Sequence, residues 1–320
     1  MATSPLDLLR PKPFRGDVIA AGVVVLVTLV WVVEVRFAGT WGAVARLAWA
    51  LVPWAFVTAL AVLAPMEAEA PRAYQSVLYV GSVVLALAVL IALGEVLGAR
   101  RAFSSEGNAT WVLAVLAGLS LAFATRRNSA ACTLLGALSG GAAVLAFVGW
   151  AFHPVGIATF RWTLLGLMVA FGFAAVAQRD RRLRHGVALI DAAGLAALAI
   201  ALTFVQETVL FGTLIAPDGG GNDHVGWGWE LLIVAAGFGL IAYSSVDRQP
   251  GPAYLGVANL IAFAVITSLG VSGDGATLLG WPLALAIVAA ALLAIGLRPT
   301  TPAPPPPDVD APEPPPLPWR

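Results

Sequence analysis

A single alternation organises this chain. Trp111 opens an apolar run that ends at Arg126 and Arg127; Trp162 opens one that ends at Arg179, Arg181, Arg182 and Arg184; Trp229 opens one that ends at Arg248. After each arginine group a second apolar run returns. Basic residues stay on the cytoplasmic side of a membrane and indole rings settle at the membrane-water boundary, so the alternation predicts a chain threaded repeatedly through a bilayer.

Composition agrees. Apolar residues occupy 59% of the 320 positions and charged residues 11%, against about 25% charged in soluble domains. The runs are about 16 to 24 residues long, close to the ~20 that an α-helix needs to cross ~30 Å of hydrocarbon. They lack the alternation of barrel strands, and in lipid every backbone amide must be bonded within its own segment. The expected fold class is therefore all-α, a polytopic integral membrane protein of about ten transmembrane helices.

The expected spans are Val18 to Val35, Ala43 to Ala64, Tyr74 to Leu97, Ala109 to Thr125, Ala130 to Phe152, Ile157 to Ala177, Val187 to Val209, Trp229 to Val246, Tyr254 to Val271 and Thr277 to Leu297. The first follows Arg10, Lys12 and Arg15, but it is too long for a signal-peptide core and lacks a clear A-x-A cleavage site, so it reads as a retained helix. Arg46 and Pro53 interrupt the second. They leave open whether Trp41 to Trp49 lies flat at the interface, with a short crossing after Leu51. Residues 1–17 form a short N-terminal segment, 18–297 the helical domain, and 298–320 a tail.

Orientation comes from counting basic residues. With the N-terminus inside, thirteen Lys and Arg fall in cytoplasmic connections and five outside, which places both termini in the cytoplasm of a bacterial inner membrane. The inner connection from Pro65 to Arg72 is the weak point, since Glu67 and Glu69 outnumber Arg72.

The opening tryptophans also mark a period: Trp111, Trp162, Trp229 and Trp281, with the long middle interval carrying the Gly-rich insertion Pro217 to Gly228. Periods of this size indicate stacked supersecondary units. Pro71-Arg72-Ala73-Tyr74 introduces span three much as Gly251-Pro252-Ala253-Tyr254 introduces span nine. The expected architecture is four helical hairpins, spans two to nine, bracketed by one helix at each end. Gly136 with Gly140, and Gly237 with Gly239, are candidate positions of close helix approach.

Candidate sites lie at the boundaries. Charge inside hydrocarbon is costly and marks function by default, yet the spans are nearly empty of it. Asp191 is four residues past Val187, about 6 Å from the inner end, so an ion-coupled pump is disfavoured. Glu95, His153, Arg161, Glu207 and Glu230 fall on the outer side and form a candidate outward-facing polar pocket, in which carboxylates and guanidinium pair or clamp a polar ligand. On the inner side Arg179, Arg181, Arg182 and Arg184 are a topology anchor or a site for anionic lipid headgroups.

Much is missing. There is no HExxH, no i, i+4 pair among the histidines and carboxylates, no G-x-S-x-G elbow, no phosphate loop and no dinucleotide fingerprint, so no metal and no cofactor is expected. Cys132 stands alone and reads as a packing residue. Zero net charge gives nucleic acid no field to follow. The tail, with Pro314-Pro315-Pro316-Leu317-Pro318-Trp319, is expected to be extended, polyproline-rich and available to a protein partner with an aromatic groove. Three functions remain: a non-catalytic sensing or assembly component among membrane lipids, a transporter or channel-like protein for a small polar or lipidic solute, and a membrane-embedded enzyme.

Overall fold

The computed structural model describes residues 16–206 and 227–268, apart from 38, 69–70, 100–102 and 104. Contacts divide the chain into two units, Met1–Ser272 and Gly273–Arg320, and every described residue belongs to the first. The tenth expected span, the proline-rich tail and the N-terminal segment before Gly16 lie outside the described residues.

Every described element is a helix: α1 (Gly16–Arg36), α2 (Ala43–Leu63), α3 (Ala73–Val96), α4 (Glu106–Arg127), α5 (Ala130–Ala151), α6 (Ile157–Arg179), α7 (Leu183–Gln206), α8 (Trp227–Asp247) and α9 (Pro250–Ser268). Eight of them are long and apolar enough to cross a membrane, and α9 has a shorter apolar stretch, Pro250–Ile266. The chain is a multi-pass membrane protein. The largest shifts from expectation are the starts of α7 and α9, at Leu183 and Pro250 rather than Val187 and Tyr254.

Span two does not lie flat. It is one continuous 21-residue helix with Pro53 inside it, and Arg46 is accommodated because its guanidinium is paired. Turn chemistry explains the sharp reversals. Ser105 caps α4 by accepting from the Asn108 backbone N–H at 3.3 Å, which satisfies one of the orphan donors of a first turn. Asn128 ends α4 with φ 58°, the left-handed conformation that Asn tolerates better than most residues.

Helices sort into two rows. Consecutive pairs pack most extensively, α2 with α3, α4 with α5, α6 with α7 and α8 with α9. Each odd-numbered helix also touches the next odd one, α1 to α3 to α5 to α7 to α9. The odd row holds the most interior helix, α3, with 61% of its span buried; the even row holds the most exposed, α6, with 11%. Chain direction alternates, so the α2–α3, α4–α5, α6–α7 and α8–α9 connections share one end, rich in arginine. The opposite end carries the tryptophans.

Lipid tails are as apolar as leucine, so close fit rather than water exclusion holds such helices together. Tyr74, Leu78, Tyr79 and Leu85 fill the core around α3, while Ile200, Ile233, Phe263 and Ile266 are buried among α7, α8 and α9. Large apolar side chains such as Val25, Val52, Phe173 and Val176 face outward, the inverse of a soluble protein and what hydrocarbon solvent requires. Among the candidate glycines, Gly136 meets Leu121 and Ser120 of α4, and Gly237 meets Leu260 and Gly256 of α9, whereas Gly239 faces open space.

The α8–α9 contact is the tightest backbone approach among these. A Cβ on Gly256 would lie 2.6 Å from the Gly237 carbonyl oxygen. Gly256→Ala should therefore destabilise the folded state by about 1–3 kcal/mol through overpacking, read as a lower unfolding midpoint in detergent, while Gly239→Ala should leave the midpoint unchanged or raise it slightly.

Candidate functional site

At the tryptophan end, Arg46 of α2 bridges two other helices. Its Nε and Nη2 donate to Glu34 Oε2 of α1 at 2.8 and 2.6 Å, and Nη1 donates to Glu95 Oε2 of α3. Glu34 is 5% exposed and Arg46 6%. The three helices place these residues here for a simple reason. Each charge lies within about one turn of a helix end, so its cost in hydrocarbon is low enough for pairing to offset. Two carboxylates thus share one guanidinium, and Glu34 Oε1 is buried without a hydrogen-bond partner.

A second cluster joins α6, α7 and α8. Arg161 Nε donates to Thr203 Oγ1 at 2.9 Å, and its guanidinium carbon sits 3.6 Å above the Phe204 ring, a stacked cation–π arrangement. Trp162 and Trp229 meet edge to face at 5.2 Å. Trp229 also meets the Phe204 ring at 6.1 Å, so through these rings Arg161 and the buried Glu230 belong to one neighbourhood. His153, exposed on the α5–α6 connection, is 3.9 Å from Glu106 at the start of α4.

The five outer residues thus do not converge among the described residues. Glu95 belongs to the α1–α3 triad, Arg161 and Glu230 to the α6–α8 cluster, and His153 to a solvent-facing pair with Glu106. Glu207 lies outside the described residues.

The arginine end holds a denser network, centred on Glu67, which sequence reasoning counted only as a charge against orientation. Its side chain is fully buried. Oε1 accepts from Ser76 Oγ at 2.9 Å and Ser129 Oγ at 3.0 Å, and Oε2 accepts from Arg184 Nη2 at 2.8 Å. Its backbone N–H donates to the Arg127 carbonyl at 3.1 Å. Gln75 Nε2 and the Tyr79 hydroxyl both donate to the Pro65 carbonyl at 3.0 Å. Arg184 Nη1 donates to the Ala68 carbonyl at 2.8 Å. The α2–α3 connection is thereby fixed to α3, to the α4–α5 turn and to α7.

Asn128 extends this network. Its Nδ2 donates to the Glu67 carbonyl at 3.1 Å, so its Oδ1 is the acceptor facing His185 Nε2 at 3.0 Å. His185 therefore carries its proton on Nε2 when neutral, and Nδ1 accepts from the Thr133 hydroxyl. The only sequence signal for this hub was a cluster of polar residues, Glu67, Gln75, Ser76, Asn128 and Ser129, in connections and first turns that topology sends to one end.

The four arginines divide. Arg179 Nη2 binds Asp247 Oδ1 at 2.7 Å, and Arg184 holds Glu67. Arg181 and Arg182 are exposed, and no ion pair involves them among the described residues. Asp191 lies eight residues from the start of α7 at Leu183, about 12 Å along the axis, with its carboxylate against Gly251 in the first turn of α9.

Removing one partner of a buried pair strands the other charge. Arg46→Ala should cost about 3–5 kcal/mol of stability, measured by denaturant unfolding in micelles, and Glu34→Gln should cost less, because Glu95 still pairs with the guanidinium. Comparison with protein-family models, with curated proteins and with solved structures finds no match.

Proposed function

We propose that this chain is a non-catalytic component of a membrane assembly, set in a bacterial inner membrane with both termini cytoplasmic, and that α6 is the helix on which a partner docks. The supporting observation is the outward face of α6. Trp162, Gly166, Val169, Ala170, Phe173 and Val176 recur at helical spacing and are all exposed. A Cβ on Gly166 would meet nothing within 4 Å. Gly166 and Ala170 form a small-xxx-small pair, the shallow groove that lets a second helix approach closely, and Phe173 provides a ridge beside it.

Two further observations favour assembly over transport. The polar side chains described at both ends tie helices of this chain to one another, as Arg46 and Glu67 do. The cavity between α5, α6 and α7 is lined wholly by apolar side chains such as Leu138, Leu164 and Phe171, and the groove along α1 and α3 is nearly so. A polar solute finds no row of ligands in either. In this reading the four helix pairs are copies of one unit, the proline-rich segment 299–320 is a second contact for a protein partner, and Arg181 and Arg182 face anionic lipid.

Gly166→Leu combined with Ala170→Leu fills the groove without touching the chain's own interior. The substitutions should weaken the assembly about tenfold or more, given the roughly 1–3 kcal/mol that overpacking a close contact costs. Native mass spectrometry from mild detergent should then show the wild type in a stoichiometric complex and the variant largely as the free chain, with unfolding midpoints alike. A complex unchanged by the double substitution would remove α6 as the docking helix, and uptake of polar solutes into vesicles holding only this chain would replace assembly with transport.

A further inference from the structure

A line of polar groups runs from the arginine end into the bundle along the seam of α7, α8 and α9. At its foot is Asp247, 8% exposed, with Oδ1 held by Arg179 at 2.7 Å. Its second oxygen, Oδ2, is buried with no hydrogen-bond partner. One turn up α8, the Tyr243 phenol approaches the same carboxylate and lies within electrostatic range of Asp191. Deeper still, Asn259 is fully buried; its Nδ2 donates to the Gly194 carbonyl at 3.2 Å and the Leu255 carbonyl at 2.9 Å, which leaves Oδ1 buried and without a donor.

Asp191 stands between these levels. Its Oδ1 is buried with no hydrogen-bond partner, and no ion pair involves it among the described residues. Space for the carboxylate comes from Gly251, where a Cβ would lie 3.1 Å from Oδ2 and 3.3 Å from Oδ1. A carboxylate with a buried oxygen that meets no donor is costly to keep ionised unless something neutralises it.

No side chain around it does so among the described residues. From α6, Arg179 is committed to Asp247. On α7 itself, Arg184 is committed to Glu67, and His185 is hydrogen-bonded to Thr133 and Asn128. From α8 come Tyr243 and Asp247, neither of them a cation. Arg248, in the α8–α9 turn, is exposed. From α9 come Gly251 and Asn259, which do not titrate, and α5 meets α7 across apolar side chains such as Ala137 and Ala192.

We propose that Asp191 is a reversible proton-binding site, reached from the arginine end through Asp247 and Tyr243. The ligand is a proton rather than a metal ion because among the described residues no three His, Cys, Asp or Glu side chains converge, and Asp191 is the one described carboxylate at its level. Binding is a proton relay: hydronium at the arginine end gives its proton to Asp247 and leaves as water, Asp247 passes a proton to the Tyr243 oxygen as the Tyr243 hydroxyl gives its own to Asp191, and Asp191 becomes a neutral carboxylic acid while Asp247 and Tyr243 return to their starting states. The site lies on α7–α9 and stands independently of the docking face on α6.

The test uses the full chain in lipid nanodiscs and N,N′-dicyclohexylcarbodiimide, a lipophilic reagent that attacks protonated carboxyls. Peptide mass spectrometry should find Asp191 modified at about pH 6 and at least tenfold less at about pH 9, equally in sodium and in choline buffer, with Asp247 unmodified. Infrared difference spectra over the same range should show a carboxylic C=O band on acidification that Asp191→Asn removes and Asp191→Glu shifts. The infrared band decides if the reagent does not reach the seam, and the labelling decides if Asp191→Asn does not fold. Protection by sodium would make the site a metal-cation site and overturn the proposal, as would pH-independent labelling, or the absence of both labelling and band.

Discussion

Hydrocarbon offers a charged side chain no water, so Glu34, Arg46, Glu67 and Arg184 each find partners on other elements, and those partnerships decide which helices stay together. Arg46 draws α1 and α3 to α2. Glu67 does more, because a carboxylate with two oxygens and full burial accepts from α3, from the α4–α5 turn and from α7 at once. Apolar packing fills the space between helices, but it does not choose among arrangements, since every helix face is nearly as comfortable against lipid as against a neighbour.

The two rows are a product of these ties. Short connections make each hairpin pack on itself, and the arginine end ties one hairpin to the next through Glu67, Asn128 and Arg184. The second limbs α3, α5 and α7 are each more buried than the first limbs α2, α4, α6 and α8, which meet lipid. That division leaves α6 with an apolar face of small and large residues and puts the Asp191 carboxylate on an interior helix.

The positions of the helices were readable in the chain because composition alone dictates them: Trp111 to Arg127 can cross a bilayer, and nothing else can be done with it. Arg46 misled, since a charge inside an apolar run looks like an interruption until its two carboxylate partners on α1 and α3 are known. Glu67 was invisible for a related reason. Its three side-chain donors lie 9, 62 and 117 residues away, and no local pattern announces contacts at those separations. Asp191 was legible as a carboxylate near the inner end of its span, whereas the start of its helix was not: the unbroken apolar run opens at Val187, but α7 begins at Leu183 among charged residues whose partners lie on other elements.

The long separation between Glu67 and Arg184 also bears on biosynthesis. When α2 and α3 have entered the membrane, the carboxylate between them has only the Ser76 hydroxyl as a side-chain donor, and its guanidinium partner has not yet been made. The first five helices therefore wait, with an uncompensated charge at the membrane boundary, until synthesis has passed residue 184. A chain that stops short of that point lacks the guanidinium that holds Glu67, so completion of the first turn of α7 is the moment at which the α2–α3 connection gains its charged partner.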